Sequence, residues 1–524
     1  MLRRVSTQRH GHSELLTGKK GSSFTALNAV GAGTEKVALD TDVAAANSFA
    51  GPGRFGKMFP DATPFRPSDE GLEALAEAMT ETQGASPEGN SKIPAGFTYF
   101  GQFVDHDITF DKTVGLPIID DPQTIEQART PNLDLDSLYG FGPGSEVDGD
   151  MFEGAPGAEI FRIGRTVVGG GDPSIPGDFP NDLPRREDLT AFIPDPRNDE
   201  NLVVAQTHLA FLKFHNQLIA TLEPTDASGR SLFDRARELV TWHYQWIVLH
   251  DFVRRIVQKD VFDDVLANGP KFFKYKDTDD GRPFMPLEFS VAAYRLGHSM
   301  IRRGYDFNRV FRPGGVTVAS LQLLFRFSSG GSLPVPSDWI IDWRRFHEVG
   351  DFGGVGSFTK IGPARKLDTE IADPLRDLLT PGKVENAPPS LAVRNLLRGA
   401  RLGLPSGQEL AGLMGITPLT ADEITTGHAG QVAKDNEFAE QSPLWFYILR
   451  EAEVHANGES LGEMGSRLVM EVFYGLIEGD PNSYMCKKWT PADSSIPRKD
   501  PDNFTMADML LFNKDISPID GITG

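Results

Sequence analysis

The sequence predicts a mainly α-helical protein, built as one large domain with long loops and little β structure. Three observations carry that expectation. Long segments repeat apolar residues at helical spacing, strand-like runs are few and short, and no internal repeat divides the chain. A length of 524 residues would by itself suggest two or three domains, but large single-core enzymes are a known exception. A 39% hydrophobic content with 35 Phe is enough for such a core.

Residues 1–60 are rich in Gly, Ser, Thr and Ala and read as an irregular N-terminal arm. His10 and His12 in this arm read as part of a polar tail, and VGAG at 30–33 as a turn without the strand and helix of a nucleotide loop. Helical periodicity then appears at 72–82, 202–222, 235–257, 288–303, 391–403 and 463–477. Asn198 and Asp199 stand before the second of these as natural caps. Gly-, Pro- and Asp-rich stretches at 111–190, 304–340 and 350–390 read as long loops, which usually carry function or bind something. The main domain is expected over 61–500, followed by a C-terminal tail at 501–524.

The 52 basic and 73 acidic residues leave a net charge of −21, which argues against nucleic acid and anionic membranes as partners. With one cysteine, Cys486, neither an intrachain disulfide nor a multi-cysteine metal site can form, and Cys486 reads as a structural thiol. The first residues are basic but lack the apolar run of a secretory leader, and no stretch is apolar enough to span a membrane. The expected setting is the cytoplasm, with leaderless export as the alternative.

Four short segments hold the chemistry. In GQFVDHD at 101–107, a helix would place Gln102, Asp105 and His106 on one face, turn Asp107 away, and surround them with Phe100, Phe103 and Val104. In DPRNDE at 195–200, Arg197 sits in a loop ahead of a long helix, with Glu200 expected in its first turn. In YRLGH at 294–298, Gly297 beside His298 would let a flat ligand approach the backbone. In RNLLR at 394–398, Asn395 and Arg398 share a helix face. Each segment alone also has a plain reading as a cap, a surface histidine or a solvated face.

As an ordered set, with the long helix ending in FHN at 214–216, these segments resemble the animal haem peroxidase (peroxidase–cyclooxygenase) superfamily over roughly 55–490. Without disulfides, the chain looks most like that superfamily's bacterial branch. The resemblance implies the animal-type haem peroxidase fold. It further implies a haem-dependent peroxidase that reduces hydrogen peroxide, serves in the response to oxidative stress, and oxidises halides, thiocyanate or small aromatic donors. His106 would be the distal acid–base residue, Arg197 the distal cation, and Gln102 would line the peroxide and halide site. Asp105 and Glu200 match the carboxylates that form ester bonds to haem b. His298 would be the iron ligand with Asn395 accepting its Nδ1–H, and Arg295 and Arg398 would pair with the haem propionates. The residue types suit the reaction. Neutral histidine can take and return a proton near neutral pH. A permanent guanidinium steadies negative charge that develops as the O–O bond breaks. The histidine ligand is tuned by its second hydrogen bond.

Thr130, Asn132, Asp134 and Asp136 alternate through TPNLDLD at 130–136. Their oxygens could converge on a hard cation such as Ca²⁺, or merely form Asx turns. The resemblance favours calcium, completed by Asp107. Animal members usually have Ser where this chain has Asp136, and Phe where it has Asn132. Asn201 stands where the enzyme with a sulfonium haem link has Met, so that link cannot form and chloride oxidation is not expected.

Three rivals remain at this stage. A fatty-acid dioxygenase of the same superfamily needs a Tyr three residues before the proximal histidine, but this chain has Arg295 there and Tyr294 one residue off. A calcium-stabilised structural protein without turnover would have no reason to keep His106, Arg197 and His298 together. A non-haem iron site would need a His-x-Asp spacing that Asp105-His106-Asp107 lacks.

Overall fold

The computed structural model describes residues 53–524 apart from 82–88, 114, 227, 279, 327–333, 351, 353–359 and 378–387. The arm at 1–52, with His10, His12 and the VGAG turn, lies outside the described residues. Among those described, nine helices run for eight residues or more: α1 (Asp69–Met79), α2 (Gly96–Ile108), α3 (Leu202–Thr221), α4 (Leu232–Trp246), α5 (Lys259–Asn268), α6 (Leu391–Arg401), α7 (Leu444–Ala456), α8 (Glu463–Glu478) and α9 (Met506–Asn513). β structure is limited to four two-stranded pairings, such as Phe55–Gly56 with Met285–Pro286. The expectation of a mainly α, single-core fold with little sheet holds. No helix among the described residues is long and apolar enough to cross a membrane.

The core gathers around α2 and α3. Phe103 of α2 stacks on Phe211 of α3 with ring centroids 4.9 Å apart, and both meet Tyr244 of α4 edge-on. Phe100, Phe103 and Val104 are fully buried, as their place in the motif implied. Burying a side chain of this size stabilises the fold by roughly 1.5–3 kcal/mol, so this aromatic cluster fixes α2 firmly. On the other side of the core, α6 packs against α1 and α7, and α7 against α8.

Two expected helices are wound differently. The segment at 235–257 begins as α4 but passes through a π-helical stretch at Ile247–Val253. The wider winding turns Phe252 towards α2, where it stacks 6.1 Å from Phe97. A Cβ at Gly101 would lie 2.9 Å from the Phe252 ring, so only glycine fits there. The segment at 288–303 is not a regular helix. It runs as a π turn at Glu288–Ala292, breaks at Ala292 (φ −128°, ψ −71°), and continues as a 3-10 turn at Ala293–His298. The change of winding falls just ahead of YRLGH. Sequence periodicity reads neither departure, because both depend on which neighbours the turn must meet.

The stretch at 501–524, expected as a tail, instead closes the core. Met506, Met509, Leu510 and Ile516 are buried, and Asn513 Nδ2 donates to the Ala210 carbonyl on α3 at 2.8 Å. Cys486 is exposed rather than structural.

His208, His215, His243 and His347 are buried. Burial lowers their pKa values to about 3, 4, 4 and 3 respectively. In an unfolded chain each would take a proton near 6.5. Below that pH the unfolded state therefore holds more protons than the folded one. The stability they confer is complete above about 6.5 and is lost as pH falls towards about 4. The melting temperature should fall steadily from about pH 7 to about pH 5 but not from 7 to 8; a flat profile over the lower interval would contradict this account.

Candidate functional site

α2 presents Gln102, Asp105 and His106 on one face, as its spacing predicted. His106 Nε2 lies 4.0 Å from Glu200 Oε2. Glu200 is not in the first turn of α3. It ends the 3-10 turn Pro196–Asp199, one residue before the cap of α3. That cap is Asn201, whose Oδ1 accepts from the Val204 amide, rather than Asn198 or Asp199. Asn201 Nδ2 also donates to Gln102 Oε1 at 2.9 Å, which orients Gln102. Asp199 instead pairs with Arg185 at 3.1 Å.

Arg197 is anchored on three sides. Its Nη2 donates to the His106 carbonyl at 2.9 Å and to Asp195 Oδ2 at 2.8 Å, and its guanidinium lies over the Phe110 ring at 4.2 Å. Asp195 also accepts from Arg129, and both residues are buried. The sequence reading missed Asp195 and Arg129; the signal was an acidic residue two before Arg197 and a lone arginine beside the 130–136 loop. Burial, and after it the Arg197 charge, lower the His106 pKa to about 4. His106 is thus a neutral imidazole near neutral pH.

The YRLGH turn faces this group. Arg295 Nη1 lies 3.7 Å from Asp105 Oδ2, a bridge between the two segments. The Asp105 charge also acts on His298, whose pKa is lowered to about 3, first by burial and then by Arg295. The Asn395 amide nitrogen lies 2.7 Å from His298 Nδ1. An amide turned over on itself would accept from Nδ1–H at the same place and leave Nε2 with a free lone pair. Tyr294 points elsewhere: its hydroxyl donates to the Gly101 carbonyl at 3.0 Å, and its ring stacks on Phe289.

Glu200 keeps 46% of its side chain accessible, yet enough protein surrounds it to raise its carboxyl pKa by desolvation. Asp105, Arg197 and Arg295 share that part-open character. The residues fit a haem. His298 offers a neutral imidazole, and a Cβ at Gly297 would meet nothing within 4 Å. Arg398 forms an ion pair with Asp111 on one side, while its buried Nη1 has no partner and suits a carboxylate such as a propionate.

A second group lies behind α2. The carboxylates of Asp107, Asp134 and Asp136 offer oxygens that all fall within 4.8 Å of one another. Asp107 accepts from the Leu135 amide at 3.2 Å and the Ser137 hydroxyl at 3.0 Å. Burial, then the neighbouring Asp136 and Asp134 charges, push its carboxyl well above the usual range. Thr130 Oγ1 donates to Asp134 at 3.3 Å, and Asn132 is buried in the same loop. Arg129 Nη1 meets Asp136 at 3.2 Å, so one guanidinium touches both this cluster and Asp195.

The sequence model of the animal haem peroxidase family matches residues 171–492, and the chain belongs to that family. The match takes in Arg197, Glu200, His298, Asn395 and Arg398. Gln102, Asp105, His106 and the acidic loop precede it. Among curated proteins, a peroxidase-like protein of Margaritifera margaritifera is 26% identical over 59% of this chain and 44% of its own length. Thyroid peroxidase of Sus scrofa is 26% identical over 68% of this chain and 38% of its own. The chain thus spans less than half the length of these relatives. Among solved structures, peroxidase A of Dictyostelium discoideum has a TM-score of 0.57 at 18% identity, covering 89% of this chain and 94% of that one. The fatty acid α-dioxygenase of Arabidopsis thaliana has a TM-score of 0.54 at 16% identity, covering 88% and 76%. At such identities the structural likeness speaks for the fold alone. Haem binding and oxidoreductase chemistry follow from family membership.

Proposed function

We propose that the protein is a haem peroxidase that reduces hydrogen peroxide at the cleft between His106 and His298. The observation that supports this reading is the approach of the two histidine segments, joined by Arg295 and Asp105 at 3.7 Å. His298 Nε2 would hold the haem iron, with Asn395 at its Nδ1, while Arg398 and Arg295 would steady the propionates. When bound, the haem supplies the redox chemistry at its iron. The chain does the rest. His106, neutral and buried, takes a proton from peroxide at Nε2 and returns it to the departing oxygen. Arg197 is held rigidly by Asp195 and offers fixed positive charge where negative charge develops. Gln102, oriented by Asn201, lines the same side and helps to position the peroxide. Halides other than chloride, thiocyanate and small aromatic molecules are the proposed reductants.

The fatty-acid dioxygenase reading finds less support in this chain. The residue three before His298 is Arg295, and the Tyr294 hydroxyl is spent on a main-chain carbonyl.

Replacing His106 by Ala should leave haem bound and slow the reaction with peroxide by about 10²–10⁴-fold. Rapid mixing with peroxide reads that rate, and a variant as fast as wild type would sink the distal role. The same protein tests a finer proposal, that Asp105 and Glu200 form ester bonds to the haem during turnover. After peroxide treatment, wild-type haem should resist acidic organic extraction, with Asp105→Asn and Glu200→Gln each removing one bond by mass spectrometry. Haem that extracts fully from the treated wild type contradicts the linkage.

We further propose that Asp107, Asp134 and Asp136, with Thr130 and Asn132, hold Ca²⁺. Three carboxylates set this close, two of them buried and one met by Arg129, repel one another, and oxygen-only donors suit calcium. Removing the ion should lower the melting temperature, because a ligand bound only to the folded state stabilises it. It should also slow the peroxide reaction through displacement of α2. Metal content, melting temperature and rate should be compared before and after a strong chelator, with Asp134→Ala expected to mimic chelation. A protein free of calcium whose properties do not change on adding it would leave the loop a set of Asx turns.

A further inference from the structure

His106 is held from behind by a side chain that the sequence offered only as a helix cap. Its Nδ1 lies 2.9 Å from Oδ1 of Asn198, and Nδ2 of Asn198 lies 3.0 Å from Nδ1 of His208. All three side chains are buried, His106 at 4% exposure and the other two at 0%. The row ends at His208 Nε2, which has no partner, with the ring set edge-on to Phe103 at 5.9 Å. Buried polar groups destabilise a fold unless they are satisfied, and an orphan among them calls for an explanation. Helix capping does not provide one, because Asn201 caps α3 and leaves the Asn198 side chain free of local backbone duty.

The chemistry of the amide accounts instead for the two contacts at Nδ1. An amide oxygen only accepts and an amide nitrogen only donates. With Oδ1 towards His106, that ring must carry its proton on Nδ1. Its lone pair then sits on Nε2, the nitrogen that faces the cleft and Glu200. With Nδ2 towards His208, that ring offers its Nδ1 lone pair and holds the amide by its other end. Were the amide turned over, both rings would exchange tautomers. His106 would then present an N–H to the cleft in place of a base.

We infer that Asn198 is a positioning residue whose amide, gripped by His208, keeps His106 in the tautomer with a basic Nε2. The inference rests on the distal role proposed for His106. Mistaking the tautomer of a catalytic imidazole disables it even where the geometry survives, as in the serine-protease triad.

The test uses haem-loaded protein, reduced and exposed to carbon monoxide, with the C–O stretching band as the probe. A lone pair on Nε2 cannot donate to the bound gas, whereas an Nε2–H does and lowers the stretching frequency. Wild type and Asn198→Asp, which keeps an acceptor for Nδ1–H, should show one band without a hydrogen bond. Asn198→Leu, of similar shape but with neither bond, should add a band at lower frequency. Its reaction with peroxide should slow by about tenfold or more and recover in Asn198→Asp. If the Leu variant does not fold, Asn198→Ser takes its place, since a hydroxyl this short cannot span both rings. A Leu variant with the wild-type band and rate overturns the inference. So does one that is slow with an unchanged band and is not rescued by Asp, which marks a merely structural role. His106→Ala, run alongside, separates the two levels: a wild-type rate there overturns the distal role itself, while a slowed rate with an unaffected Asn198→Leu overturns the positioning role alone.

Discussion

The surroundings of His106 depend on one buried carboxylate. Burial alone would push the Asp195 carboxyl up, yet the guanidinium groups of Arg197 and Arg129 hold it well below the usual carboxylate range. Asp195 is fully buried and bonded to both arginines. Removing one member of such a group leaves an uncompensated charge in the interior, at a cost of about 3–5 kcal/mol. Through Asp195, Arg197 is fixed against the carbonyl of His106. Through Arg129 the same carboxylate is tied to Asp136 in the acidic loop. The acidic loop, Arg197 and His106 are therefore one electrostatic unit, which the cation proposed at Asp107, Asp134 and Asp136 would complete from behind.

The surroundings of His298 are built differently. His298 lies in a 3-10 turn that follows a π turn, and its companion is a neutral amide, Asn395, rather than a carboxylate. A neutral partner gives the ring less anionic character, so it is a weaker electron donor to a metal than an imidazole held by Asp would be. The two groups meet through Arg295 and Asp105. His106 and His298 thus rest on separate supports, with one long ion pair between their segments.

Much of this was legible in the sequence because it follows from spacing. The helical face of Gln102, Asp105 and His106, the displacement of Asp107 to the opposite face, and the shared face of Asn395 and Arg398 are consequences of 3.6 residues per turn. The bounds of α3 and α8 followed from apolar periodicity for the same reason, while α1 lies three residues earlier than its periodicity placed it, because Ser68 caps it. What stayed hidden depends on tertiary partners. Asn198 and Asp199 looked like caps because the local sequence favours capping at either. Which of three adjacent residues caps α3 was decided by where Asn201 could reach Gln102 while Asn198 reached His106. The π turn at Ile247–Val253 is set by the need to seat Phe252 against Gly101, and residues 501–524 looked too short and broken for a core element until α3 supplied a surface for them.

The central claim is that His298 holds the haem iron across the cleft from His106. Haem-loaded wild type and His298→Ala, compared by visible absorption and by low-temperature magnetic resonance of the ferric iron, test it most directly. The account predicts a histidine-ligated spectrum in the wild type and its loss in the variant, with added imidazole restoring it. A variant that keeps full haem content and an unchanged spectrum would contradict the account.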